Sequence, residues 1–136
     1  MLTSTMKQYI KHIYLLGACM EGVPPLYVAK ALGVNSSAVT RMVKKLANLG
    51  LLEYEYYGRL NLTEEGKQLG QTLVKEQDVL LNFLRMIGIK EDQLRKELEA
   101  IQYNLPPALI NRLTKLNEFF CQHPSLVQSF SQFSDP

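Results

Sequence analysis

Residues 25–63 read PLYVAKALGVNSSAVTRMVKKLANLGLLEYEYYGRLNLT, and the order of their signals decides the fold. Pro25 suits the first turn of a helix, so LYVAKAL is predicted as a short one, stopped at the tight turn Gly33-Val34. Asn35 or Ser36 caps the next helix, which Gly50 ends. Within it Val39, Met42, Val43, Leu46 and Leu49 recur at helical period and face inward. That leaves Ser37, Thr40, Arg41, Lys44 and Lys45 outward. LLEYEYYGRLNLT then reads as two short strands joined around Gly58-Arg59. Helix, glycine turn, helix, hairpin is the order of a winged helix-turn-helix.

Upstream, Thr5 with Gln8 three residues on is a capping-box start. Met6, Tyr9, Ile10, Ile13 and Tyr14 follow at helical spacing until Gly22 and Pro24-Pro25 break the pattern. Downstream, Thr63 to about Ile87 is one long helix with Leu69, Leu73, Leu80, Leu81 and Leu84 on its apolar side. Gln77 interrupts that side and needs a hydrogen-bond partner there. A fifth helix is expected from Glu91 to Tyr103, a sixth from Pro106-Pro107, and a last one in SLVQSFSQF. The predicted class is mainly α with a small β-hairpin. Residues 1–70 form a winged helix-turn-helix domain and residues 71–136 a helical domain, with the long helix joining them.

Apolar residues make up 46% of the chain and charged residues 21%, which is a globular composition. No run approaches the ~18 apolar residues of a membrane span, and the amino terminus is not patterned as a secretory signal. A cytoplasmic protein is expected, with Cys19 and Cys121 as core thiols. The net charge of +2 is uneven. Residues 30–45 hold Lys30, Arg41, Lys44 and Lys45 with no acid, a footprint suited to a polyanion. Ser37, Thr40 and Arg41 lie on the amino-terminal half of the third helix, where base edges are read. Lys44 and Lys45 lie where phosphates pass. Asn35 and Ser36 open that helix. Arg59 at the hairpin tip, with Tyr56 and Tyr57 beside it, is placed to reach a phosphate or the minor groove. Double-stranded DNA is the expected partner. His12 and His123 have no nucleophile or carboxylate at a catalytic spacing, and no phosphate loop is present, so no enzyme is expected. The apolar face of the last helices, Leu109, Leu113, Leu116 and Phe120, calls for a two-fold mate.

MKQYIKHIYLL, VNSSAVTRMVKKL, LLEYEYYGRLNLTEEGKQLG and LVKEQDVLLNFLRMIGI together resemble the manganese transport regulators, a branch of the diphtheria-toxin-repressor family. The resemblance runs from about residue 4 to residue 120. It implies homodimeric repressors with an amino-terminal winged-helix domain and a helical dimerisation domain, gripping operator DNA when metal is bound.

The resemblance also assigns metal ligands to the positions of Gln8, Lys11, Gln77, Glu99, Gln102 and Tyr103. On a continuous fifth helix Glu99, Gln102 and Tyr103 share one face. Only Glu99 keeps the type of side chain the family uses. Mn²⁺ and Fe²⁺ take carboxylate oxygens and imidazole, amides are weak ligands, and a lysine repels the cation. The sequence therefore predicts a degenerate site with no cofactor, in which Lys11 pairs with Glu99 and fixes one domain against the other. Two other readings compete with it. One is a repressor answering Mn²⁺ or Fe²⁺ through a rearranged site built on Glu99 with Asp78 or Glu97. The other is a dimerising interaction protein without operator recognition.

Overall fold

The computed structural model describes residues 2–55 and 58–134. Seven helices and one hairpin follow in chain order: α1 Ser4–Gly17, α2 Pro25–Leu32, α3 Ser36–Asn48, β1 Leu52–Tyr54, β2 Leu60–Leu62, α4 Glu64–Met86, α5 Glu91–Ile101, α6 Pro107–Gln122 and α7 Pro124–Ser134. The predicted class is the observed one. Local chemistry sets most of the boundaries. Thr3, not Thr5, caps α1, its hydroxyl oxygen accepting from the Met6 N–H at 3.1 Å. Thr5 lies inside the helix, so its spacing to Gln8 is incidental. Gly33 closes α2 in the left-handed conformation, φ 67°, which costs a glycine little. Pro107 opens α6 at the position where a missing N–H is harmless.

The chain divides into two compact units, Met1–Val74 and Lys75–Pro136, with the boundary inside α4. In the first unit α1 packs on α2 and β2, and α2 on α3. Its core is built from Ile10 and Ile13 of α1, Val28 of α2, Val39, Val43 and Leu46 of α3, and Leu60 of β2, all at most 1% exposed. Leu49, expected to face inward, is exposed just beyond the end of α3. The hairpin is antiparallel, with Leu52 opposite Leu62 and Tyr54 opposite Leu60. A separate bridge joins Val23 to Leu60 through hydrogen bonds of 2.8 and 2.9 Å, so the α1–α2 loop is stitched to the hairpin. Two glycines in α4 allow close approach. A Cβ at Gly66 would collide with the Leu51 carbonyl oxygen, and one at Gly70 would come within 2.6 Å of the Tyr14 side chain.

In the second unit Leu80 and Leu84 of α4, Leu94 and Leu98 of α5 and Ile110 of α6 form the core, with Leu113 packed against it. Asn117 of α6 is also buried, its side-chain nitrogen donating to the Val79 carbonyl at 2.9 Å. Of the four residues expected to expose an apolar face, Leu109 is exposed, whereas Leu113, Leu116 and Phe120 are half-buried within their own unit. Phe119, Leu126, Phe130 and Phe133 add exposed apolar surface that the sequence reading did not include. Cys19 and Cys121 are both exposed, which corrects their reading as core thiols. Cys19 follows the end of α1, and Cys121 lies in the last turn of α6, whose buried positions are Ile110 and Asn117. No helix among the described residues is long and apolar enough to cross a membrane.

Candidate nucleic-acid interface

The candidate surface is built on α3. Asn35 caps it, its Oδ1 accepting from the Ala38 N–H and the Ser37 hydroxyl, both at 2.8 Å. Thr40 donates its hydroxyl to the Ser36 carbonyl at 3.0 Å. With their protons engaged on the protein, the Ser37 and Thr40 oxygens keep lone pairs to offer outward. Ser36, Ser37, Thr40, Arg41, Lys44 and Lys45 are all exposed. No salt bridge engages Arg41, Lys44 or Lys45 among the described residues. The helix thus presents small hydroxyls and uncompensated cations on one side, while Val39, Val43 and Leu46 hold the other in the core. Acceptors for base edges beside charges for phosphates are what major-groove recognition uses.

At the hairpin, Tyr57 lies outside the described residues. Arg59 is committed in part to the protein: its Nη1 donates to the Glu21 carbonyl at 3.3 Å and the Gly22 carbonyl at 3.1 Å. The side chain therefore braces the hairpin against the α1–α2 loop. Arg59→Ala is expected to cost about 1 kcal/mol and to speed hydrogen exchange at the Val23 and Leu60 amides. Unchanged exchange at both would show that the brace contributes nothing.

His12 stands on the inner side of α1. Its Nδ1 contacts the Gln8 carbonyl at 2.9 Å, so the neutral ring carries its proton there. Burial pushes its pKa below the ordinary 6.5; the Gln8 bond opposes that shift, and the charge of Lys11 adds to it. The unfolded chain then binds the proton first, so His12 draws stability away as pH falls from about 6.5. The wild type is expected to lose more of its urea midpoint between pH 7.5 and pH 5.5 than His12→Gln does. Equal losses would remove His12 as the cause.

The six positions linked to metal divide between the two units. In the first, Gln8 is half-buried and Lys11 is buried, at 4% exposure. In the second, α5 ends at Ile101, so the face expected to join Glu99, Gln102 and Tyr103 does not form. Gln102 is extended (ψ 154°) and buried. Tyr103 turns left-handed at φ 75°, the one non-glycine residue with positive φ among those described. Pro106 holds Leu105 out of helical backbone, so α5 could not have run on into α6, but the stop at Ile101 comes before the reach of that proline. Glu99 remains exposed on α5. Burial, and then the charge of Glu99, push the Tyr103 phenol up to about 12. Gln77, on the inner side of α4, is half-buried.

Comparison with known proteins decides the family. The model described as iron dependent repressor, N-terminal DNA binding domain, matches residues 1–60. A second, described as iron dependent repressor, metal binding and dimerisation domain, matches residues 63–127. The chain belongs to the iron-dependent repressor family. The HTH-type transcriptional regulator MntR of Lysinibacillus sphaericus (strain C3-41) is 38% identical over 128 residues, covering 94% of this chain and 92% of that protein. Among solved structures, the metal-dependent transcriptional regulator MtsR superposes with a TM-score of 0.78 at 24% identity, over 87% of this chain and 55% of that one. The manganese regulator SloR superposes with a TM-score of 0.75 at 25% identity, over 87% of this chain and 55% of that one. The chain thus spans about half the length of these two solved relatives.

Membership corrects one expectation. The sequence predicts no cofactor, yet residues 63–127 match the metal-binding and dimerisation domain of the iron-dependent repressor family, and SloR is a manganese regulator. The family points to Mn²⁺ or Fe²⁺. The six side chains at the positions carried over do not fit such an ion. They offer one carboxylate, three amides, a lysine and a phenol whose raised pKa keeps it protonated. Among the described residues no three His, Cys, Asp or Glu side chains gather where they could hold one.

Proposed function

We propose that this protein is a homodimeric transcriptional repressor that reads operator DNA with α3. The observation that carries the reading is the capped helix itself: Ser37 and Thr40 hydroxyls beside Arg41, Lys44 and Lys45, exposed and without acids, next to a braced hairpin. Ser37, Thr40 and Arg41 set the sequence preference, and Lys44 and Lys45 supply phosphate affinity. Dimerisation uses the second unit, through the α6 face bearing Leu109, Leu113, Leu116 and Phe120 together with the exposed apolar residues of α7. Two α3 helices then address half-sites about one DNA turn, or a multiple of it, apart. The family model and the named relatives are regulators, which supports a regulator over an enzyme. A repressor acts where the chromosome lies, so its place is the cytoplasm.

The test is selection of duplexes from a random pool by the full-length protein, followed by binding titrations and a measurement of mass in solution. A two-fold symmetric consensus bound by a dimer is expected. A monomer, or a chain that enriches no sequence, overturns the proposal. The same titrations with chelator and with added Mn²⁺ or Fe²⁺ measure the effect of the ion on this chain. A response lost in Glu99→Gln places that carboxylate in the metal site, and one that survives places the ion elsewhere.

A further inference from the structure

The first unit holds a cleft of about 180 Å³ between the end of α1, β2 and the start of α4. Ile13, Val23 and Leu60 line it and are each at most 1% exposed, so its floor is apolar. The mutual bonds of Val23 and Leu60 engage the N–H and the carbonyl of both residues, and that part of the floor offers no free backbone donor. The polar lining is Tyr14, Asn61 and Lys67. Gly70 gives Tyr14 its place, because the Tyr14 Cβ, Cγ and Cδ1 stand within 2.9 Å of the point a Cβ there would occupy. Tyr14 and Asn61 are half-buried and Lys67 is exposed. Among the described residues none of these three side chains has a hydrogen bond or an ion pair within the protein. No acid lines the cleft, and Glu53, across the hairpin from Asn61, is exposed outside it.

We propose that this cleft binds a small carboxylic acid with a compact apolar body, seated on Ile13, Val23 and Leu60 with its carboxylate on Lys67 and Asn61. Size and charge both select that class. A cavity of about 150 Å³ holds a benzene ring, so the cleft takes one ring or a short branched chain and excludes a nucleotide or a long acyl chain. One cation over an apolar floor matches a monoanion with one apolar end. An amine would meet Lys67 as a like charge, and a free phosphate would leave the floor unfilled. A hydrogen bond from a charged donor to a carboxylate is about twice as strong as a neutral one, so Lys67 supplies the selectivity and the floor the bulk of the contact. A ligand seated there touches α1, β2 and α4 at once, and so ties the hairpin to the start of the long helix.

Benzoate is the probe, titrated into the full-length protein while the side-chain methyl groups are followed by NMR. It is expected to shift the Ile13, Val23 and Leu60 methyls along one saturating curve. Acetate carries the charge without the ring, and benzyl alcohol the ring without the charge; each should bind at least about tenfold more weakly than benzoate. Lys67→Gln, at an exposed position that the fold does not need, should weaken benzoate about tenfold and leave benzyl alcohol unchanged. Ala18→Leu enlarges another lining side chain and should weaken benzoate and benzyl alcohol alike. The absence of a saturating shift at Ile13, Val23 and Leu60 overturns the inference. So does benzyl alcohol that binds as tightly as benzoate, or a Lys67→Gln protein that binds benzoate as the wild type does. Benzoate affinity untouched by Ala18→Leu would move the ligand out of this cleft, and inorganic phosphate that competes at equal concentration would make the seat one for any anion; either result overturns the assignment. The titration needs no DNA, so its outcome is separate from that of the operator reading.

Discussion

Gly66→Ala is expected to destabilise the protein by about 2–3 kcal/mol, against a gain of about 1 kcal/mol that helix propensity alone assigns to the change. Gly66 lies in the first turn of α4, where its N–H bonds the Thr63 hydroxyl at 3.2 Å. That hydroxyl in turn donates to the Gly50 carbonyl at 2.6 Å, and the Thr63 N–H bonds the Leu51 carbonyl at 3.1 Å. The start of α4 is thereby tied to the residues between α3 and β1. A methyl group at Gly66 would collide with that same Leu51 carbonyl oxygen and come within 3.2 Å of the Leu62 Cβ. Backbone cannot swing aside as a side chain can, so the helix start would have to detach from the hairpin base. Gly70 makes the useful contrast. There the obstacle is the Tyr14 side chain, whose Cβ at 2.6 Å does not move with χ, so relief takes a small shift of α1 and Gly70→Ala should cost about 1–2 kcal/mol. Urea midpoints at constant m-value give the ranking. Gly66→Ala as stable as the wild type would mean that α4 does not sit where the two glycines place it.

That contact also marks how far the sequence could be read. The order of elements from Pro25 to Thr63 was legible because each signal is local: a proline at a helix start, Asn35 as a cap, a stripe from Val39 to Leu46, a hairpin around Gly58. The two glycines of EEGKQLG were legible only as a cost to the helix. The compensation comes from Leu51 and Tyr14, which no local pattern brings beside them. The same holds at Arg59, whose place at a hairpin tip suggested DNA. Its bonds to Glu21 and Gly22 depend on how the loop after α1 folds back. At α5 the helical period runs on to Tyr103, and no local signal marks the stop at Ile101, since Pro106 restricts only Leu105. The exposed thiols of Cys19 and Cys121 show the weakness of an argument from residue type without a pattern. The cofactor was misjudged for another reason. Five substituted positions speak of those five side chains, whereas the match over residues 63–127 speaks of a whole domain.

Asn117→Asp should be among the most damaging single-atom-scale changes in the second unit, and its damage should depend on pH. Asn117 falls four residues after Leu113 and seven after Ile110, on the stripe that packs inward, and it is 8% exposed. Its nitrogen donates to the Val79 carbonyl on α4, while its Oδ1 is buried with no hydrogen-bond partner among the described residues. A carboxylate there would face the Val79 carbonyl with no proton to offer and would lose its hydration. The group answers by keeping its proton, so its folded pKa rises above the ordinary ~3.9. In that window the folded state binds more protons than the unfolded chain. Stability is then nearly intact below about pH 4, where the neutral acid can donate to Val79, and falls as pH rises toward the folded pKa. A shift of about 3 units corresponds to about 4 kcal/mol lost at neutral pH. Asn117→Leu separates charge from packing. It removes the donor and the unpaired oxygen together, and the Val79 carbonyl keeps its own helical bond, so it should stay within about 1 kcal/mol of the wild type. Urea midpoints of the three proteins at about pH 4 and about pH 7.5 decide the matter. If Asn117→Asp loses the same amount at both, or Asn117→Leu loses as much as Asn117→Asp, the buried amide is not what joins α6 to α4.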